Sequence, residues 1–294
     1  MYSSLERILE ESGKSGQPFW KVVQAEDCHE ENISEEASFA RMAGMYTSMK
    51  ASVAGYEDGM SSASGLVGKE AGILHRRIEK KEMLAGDFVS SVMEKALKVA
   101  ACNACMRRIV AAPTAGSCGV LPAVLISYQE KTNCSDDKMV EGLYVAAGIG
   151  GVIGQRASLS GAQGGCQAEI GSASAMAAGA LAYLDGGGNM EIVNACALAL
   201  KGLLGLACDP VAGLVEVPCV KRNVIGAVNA VTSCDMARAG IASKIPADEV
   251  IDAMHTIGAK MPVEIRETGI GGLAGTKTGQ KIARAMKDNR PQGL

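Results

Sequence analysis

Apolar positions recur every three or four residues along almost the whole chain, and strict apolar–polar alternation is rare, so the pattern predicts helices rather than strands. Phe39, Met42, Met45 or Tyr46, Met49 and Val53 mark one helical face, and Phe88, Val92, Leu97 and Ala100 mark another. For the second, Asp87 reads as the N-cap and Pro113 as the stop. The charged opening MYSSLERILEESGK carries the same period. Further helices are expected over 69–80, 120–130, 137–155, 167–184, 190–206, 219–240, 246–258 and 276–288, with Pro246 in the first turn of its helix. The fold class this predicts is all-α, a compact multi-helix body.

Between these helices lie Gly- and Ser-rich loops: SSASGLVG (61–68), APTAGSCG (112–119), SLSGAQGGC (158–166), DPVAGLVEVP (209–218) and RETGIGGLAG (266–275). No low-complexity linker divides the chain, and no internal repeat is present. We expect a small N-terminal helical portion, residues 1–60, packed on a main body, 61–294, whose loops converge on one site. At 294 residues and 48% hydrophobic, the chain can bury a sizeable core. Only 3% of it is aromatic, so that core must consist of small and flexible side chains on closely approaching helices.

Charge narrows the partners. A formal net charge of -3 without a basic run gives no reason to expect nucleic acid or an anionic membrane, which leaves a small molecule or a protein. The N-terminus lacks the apolar stretch and cleavage site of a secretory signal, and a cytoplasmic location is expected. The most apolar run, GLYVAAGIGGVIG (142–154), is broken by glycines and falls short of the roughly 20 residues of a membrane span, so it reads as a buried helix. Ten cysteines in a cytosolic chain do not imply disulfides, which leaves metal binding open for some of them.

Most of the cysteines have ordinary readings. Cys102 and Cys105 form a lone C-x-x-C within a helical pattern, where three-residue spacing places both on one core face. Cys196 and Cys234 sit in apolar helical surroundings, and Cys118 reads as a small buried hydrophobe in a loop. Cys28 and Cys134 lie among polar residues and are expected to be partly exposed. Cys166, Cys208 and Cys219 differ in kind: each stands at an expected loop–helix junction, Cys208 at the end of one helix and the other two at helix starts. From such junctions the three can project toward one point, yet their spacing alone does not decide for a shared metal.

Several long segments, in order, carry a resemblance. SLSGAQGGCQAEIGSASAMAAG, GLACDPVAGLVEVPCVKRN, APTAGSCGVLPAVL and RETGIGGLAGT closely resemble signature segments of the α chain of iron-sulfur-dependent L-serine dehydratases, over about residues 40 to 280. In that family three cysteines hold a 4Fe-4S cluster, and they fall here on Cys166, Cys208 and Cys219, at matching intervals. The resemblance implies a lyase that turns L-serine into pyruvate and ammonia, with 61–294 as its catalytic domain. The iron left without a thiolate would act as Lewis acid on the departing hydroxide. The pattern Ser-Xaa-Lys-Xaa-Arg-Gly, associated with pyridoxal phosphate dehydratases, is absent.

A general base is harder to find. His29 looks solvated, His75 sits on a charged helix and His255 reads as a helix-surface or packing residue; none lies in a glycine-rich loop. Fused family members carry a β portion with Ser-Ser-His-Thr and Gly-His-Xaa-Thr motifs, and neither occurs here. The resemblance therefore implies a separate β chain in a heteromer, supplying the base or completing the pocket; otherwise His75, His255 or Lys69 would have to serve. The loop hydroxyls of Ser62, Ser64, Thr114, Ser117, Ser158 and Ser160 are candidates to bind the substrate's carboxylate, as is Arg266, with turn stabilisation and an ion pair to Glu267 as the competing roles. GIGG at 269–272 follows no expected strand and is not a dinucleotide motif. The rival to the enzyme is a non-catalytic cytosolic iron-sulfur or zinc protein, a redox sensor or structural subunit.

Overall fold

The computed structural model describes residues 2–288, and among them there are thirteen α-helices and no β-strand. In chain order these are α1 (Leu5–Ser15), α2 (Phe19–Glu31), α3 (Glu35–Ala54), α4 (Glu70–Glu79), α5 (Gly86–Ala104), α6 (Val120–Thr132) and α7 (Asp136–Arg156). There follow α8 (Gly161–Gly164), α9 (Ser172–Leu184), α10 (Asn189–Leu203), α11 (Cys219–Arg238), α12 (Ala247–Lys260) and α13 (Lys277–Asp288). Serine side chains start three of the long ones. Ser4, Ser34 and Ser135 accept from the N–H groups of Arg7, Ala37 and Lys138 at 3.1, 3.2 and 3.2 Å, satisfying amides that the helix itself leaves free.

The all-α expectation holds, and the reason is visible in α9. Its sequence, SASAMAAGALAYL, is buried at every position except Tyr183, and α6, α7, α10 and α11 all pack against it. Small side chains permit that approach: a Cβ added at Gly179 would stand 2.2 Å from Ile149 Cδ1 on α7. The glycine-broken run 142–154 lies inside α7, where Leu143, Ile149, Val152 and Ile153 are buried. Each such aliphatic side chain contributes about 1.5–3 kcal/mol by leaving water.

Helices α1–α3 share this core through Leu5, Ile8, Phe19, Tyr46 and Met49. Polar ties reinforce the contact: Asp248 on α12 accepts from the N–H groups of Leu5 and Glu6 at 2.9 and 3.0 Å, and the Ser38 and Tyr144 hydroxyls meet at 2.5 Å. Among the described residues no helix is long and apolar enough to cross a membrane.

Several local expectations fail for physical reasons. Helix α5 opens one residue before Asp87, with Ala85 in the cap position, so the Asp87 carboxylate lies inside the first turn and meets the helix dipole instead of capping. The same helix ends at Ala104, long before Pro113, because the chain turns into the left-handed region at Met106 (φ 58). Pro246 is the N-cap of α12 rather than a residue of its first turn. The helix expected over 190–206 stops at Leu203, where Leu204 takes an extended ψ of 136. The helix expected over 167–184 begins with a π-turn, Gln167–Gly171, and the loop before it contains α8.

Candidate functional site

Three thiols come near one another from three different elements. Cys166 is the residue before the π-turn, and the chain turns to meet it at Gly165 (φ 73), where a Cβ would stand 2.5 Å from Met261 Sδ. Cys219 is the first residue of α11, directly after Pro218. Cys208 does not end a helix as its sequence context suggests. It lies in an extended segment beyond α10 and forms a parallel bridge with Arg266, its N–H donating to Ile265 O at 2.9 Å and its carbonyl accepting from Glu267 N–H at 2.7 Å.

The three sulfurs are close enough to feel one another. Burial pushes the Cys166 thiol up to about 11 and the Cys219 thiol up to about 12, and it raises Cys208 as well, where the charges of Cys166 and Cys219 add to the effect. The Arg222 guanidinium opposes the shift at Cys166 and Cys219. A bound metal would supply the positive charge that burial withholds, so the donor set suits a thiolate-ligated centre and makes poor free nucleophiles.

The scaffold beneath is built from the Asn223 and Gln167 amides, which sequence reasoning missed, and from the Arg222 guanidinium, which follows Cys219 closely in the sequence. Asn223 accepts from Gly119 N–H at 2.8 Å and donates to the carbonyls of Gly116 (2.8 Å) and Cys219 (2.9 Å), locking loop 112–119 to the start of α11. Gln167 donates to Met254 O and accepts from Gly205 N–H, both at 2.9 Å, locking the π-turn to α12 and to the segment before Cys208. Arg222 donates to Ala207 O at 2.7 Å and pairs with Asp209 at 2.9 Å, while Asp209 accepts from Leu273 N–H at 2.8 Å. Nothing in the one-dimensional pattern marks Asn223 and Gln167, because they join loops that lie far apart along the chain.

Beside the thiols opens a cleft of about 460 Å³ lined by Thr114, Ser158, Ser160, Gly161, Glu169 and Glu267, among others. Three of the expected hydroxyl residues are therefore brought together. Glu169, on the π-turn, is the residue that sequence reasoning overlooked: Thr114 Oγ1 donates to its Oε1 at 2.7 Å, and Cys208 Sγ stands 3.8 Å from its Oε2. Burial raises the Glu169 carboxyl above the usual range, and the nearby Glu267 adds to this. Its only advance signal was its place in the QAEIG segment after Cys166; π-turns recur at functional sites.

The other expected residues lie elsewhere. Ser117 sits below Thr114 in a reciprocal capping arrangement. Ser62 and Ser64 both donate to the buried Glu216 carboxylate, Ser62 at 2.9 Å. Arg266 lines an adjoining cleft of about 290 Å³ with Ser158, Gln163 and His255, and its buried Nε has no partner. That placement gives His255 a cleft-lining position rather than a purely surface one. His75 faces Glu94 at 3.1 Å and Glu79 at 3.7 Å, and His29 and Lys69 are exposed. Cys102, Cys118, Cys196 and Cys234 are buried, Cys28 and Cys134 partly so; Cys105 is only half-buried because it ends α5 instead of continuing its core face.

Comparison with known proteins places the chain among its relatives. The family model described as "Serine dehydratase alpha chain" matches residues 14–274. A probable L-serine dehydratase alpha chain of Bacillus subtilis is 43% identical over 286 residues, covering 97% of this chain and 95% of that one. A probable L-serine dehydratase alpha chain of Latilactobacillus sakei is 52% identical over 193 residues, covering 66% of this chain and 92% of the relative. An L-serine dehydratase of Escherichia coli is 40% identical over 230 residues, which are 75% of this chain but 51% of that protein.

Proposed function

The chain belongs to the serine dehydratase alpha-chain family, and on that premise we propose that it is the α subunit of an L-serine dehydratase, a lyase forming pyruvate and ammonia from L-serine. The observation that carries the reading is the convergence of Cys166, Cys208 and Cys219 beside a hydroxyl-lined cleft. Those three residues would hold a 4Fe-4S cluster. When bound, the cluster supplies an iron without a protein thiolate, a Lewis acid that lowers the cost of expelling hydroxide.

The chain's own residues do the remaining work at this site. Ser158 and Ser160 offer hydroxyl donors to the substrate's carboxylate from one wall of the cleft, while Thr114 gives its single O–H to Glu169 and so orients that carboxyl group. Asn223 and Gln167 fix the loops that carry them and the thiols, so little reorganisation remains at the moment of reaction. Loss of water leaves 2-aminoacrylate, which tautomerises to an imine and hydrolyses to pyruvate and ammonia. Among the described residues no histidine lines the cleft that contains Glu169. A separate β chain docked on this face, in a cytoplasmic heteromer, is the reading we adopt for the source of the base. The E. coli relative, of whose length this chain spans about half, supports a second portion in the complete enzyme.

The test is anaerobic purification followed by iron, sulfide and pyruvate assays. We expect about four irons per chain, broad visible absorption from iron–sulfur charge transfer, and pyruvate from L-serine once the β chain is present. Stoichiometric zinc without iron in protein prepared this way would overturn the cofactor assignment and return a zinc protein in its place.

A further inference from the structure

Three donor atoms on this face surround a single open point. The ligand atoms of Glu169, Cys208 and Glu267 all lie within 4.8 Å of one another. The point among them is where a side chain on Gly161 would begin: a Cβ there would stand 2.7 Å from Glu169 Oε2, 2.9 Å from Cys208 Sγ and 3.1 Å from Glu267 Oε2. Glycine at 161 keeps the point empty. Both carboxylates are held toward it by separate devices. Thr114 takes Oε1 of Glu169 and leaves Oε2 for the point, while the backbone of Glu267, in the left-handed region at φ 64, is pinned by its N–H on the Cys208 carbonyl. Neither carboxylate has a basic partner among the described residues, and the one donor that reaches the point is the weak Cys208 thiol, 3.8 Å from Glu169 Oε2, so a cation placed there would meet two oxygens and a sulfur.

We propose that Glu169 and Glu267 are oxygen ligands of the metal centre, their carboxylates taking the place for which the chain offers no fourth thiolate until substrate displaces them. The inference rests on the cluster reading given above. Its chemical logic is one of exchange. Three soft thiolates hold iron firmly, whereas carboxylate oxygens suit harder ions and give way more easily, so the pair protects the position at rest without closing it to the substrate's oxygens.

The holoprotein, purified anaerobically without substrate, is oxidised with ferricyanide. One electron passes from each four-iron cluster to ferricyanide, one Fe²⁺ leaves, and a three-iron cluster remains, followed by electron paramagnetic resonance and by free iron. Glu267→Gln changes an exposed side chain, so it tests the ligand role without disturbing the core. Iron release is expected to rise about 10-fold or more in this variant and in Glu169→Gln, with sulfide content unchanged, as for other losses of oxygen donors around a metal. Gly161→Ala, which puts a methyl group at the shared point, is expected to act in the same direction. Iron release equal to wild type in all three variants overturns the proposal, and so does a raised KM for L-serine with unchanged iron release, which would assign the carboxylates to the substrate's ammonium group. Wild-type protein that takes up neither iron nor sulfide fails at an earlier step and removes the cluster reading together with this one.

Discussion

Thr114 Oγ1 donates to Glu169 Oε1 at 2.7 Å and so joins two glycine-rich segments 55 residues apart across the mouth of the cleft. A half-buried hydrogen bond to a carboxyl group is worth about 1.5–3 kcal/mol, and its loss releases the Glu169 carboxyl group from its orientation at the mouth of the cleft. Thr114→Ala is expected to lower kcat/KM by roughly 10- to 100-fold while Thr114→Ser stays within a few-fold of wild type. The assay is pyruvate formation by the anaerobic enzyme at matched iron content. Equal activity in the two variants would mean that the hydroxyl does nothing beyond filling space.

The cysteines divide cleanly in the structure, and their substitution should divide in the same way. Cys166→Ser, Cys208→Ser and Cys219→Ser are each expected to lose the visible absorption, most of the iron and all turnover. Cys102, whose sulfur reaches the Ser52 carbonyl at 3.4 Å inside the core, and Cys105, at the end of α5, are expected to leave iron content near wild type when replaced by Ser. The reverse pattern, with the second pair needed for iron and the first three dispensable, would overturn the ligand assignment.

Asn223 makes a sharper test of the scaffold, because its side chain does not line the cleft. Asn223→Ala removes three hydrogen bonds, a buried one from Gly119 N–H and two part-buried ones to the carbonyls of Gly116 and Cys219, and leaves backbone groups without partners. A stability loss of about 2–4 kcal/mol is expected from denaturant unfolding, with faster cluster loss because Cys219 is no longer held. Asn223→Ala protein as stable as wild type would show that water replaces the amide at no cost.

Much of this architecture was legible in the apolar period. Helices α6, α7 and α12 begin and end within two residues of expectation, because their buried faces repeat at the helical interval and nothing nearby competes with it. Of the candidate site, the glycine-rich loops that carry Thr114, Ser158 and Ser160 and the helix starts at Cys166 and Cys219 were legible. What stayed hidden depends on long-range contact. Cys208 looks like a helix end until Arg266 pairs with its backbone, and Glu169 looks like one polar residue in a helical run until the π-turn aims it at Thr114. Asp87 misled for a smaller reason, since a residue of capping type one position inside a helix start serves the dipole as well as it would serve the cap.

The close approach of α7 and α9 predicts a compensating pair of substitutions. A Cβ at Gly179 would meet Ile149 Cδ1 at 2.2 Å, so Gly179→Ala is expected to cost about 1–3 kcal/mol by overpacking. Ile149→Val deletes that methyl group and alone is expected to cost about 0.5–1.5 kcal/mol. Together the two should cost less than their sum, because each removes the other's defect. Strict additivity in chemical denaturation would show that the helices move apart instead of meeting at this contact.

The final prediction concerns the proton that leaves the substrate. A positioned base is worth about 10²–10⁴ in rate, so losing it cannot pass unnoticed. Within this chain His255 is the histidine beside the functional face, lining the adjoining cleft with Arg266, whereas His75 is engaged by Glu79 and Glu94 and His29 is exposed at the end of α2. If the β chain supplies the base, His255→Gln in the reconstituted heteromer should keep turnover within about 10-fold of wild type, below what removal of a base costs. The α chain alone, loaded with iron and sulfide, should bind L-serine yet form pyruvate slowly or not at all until the β chain is added. Full turnover by α alone, abolished by His255→Gln, would place the base in this chain and make the adjoining cleft part of the active site.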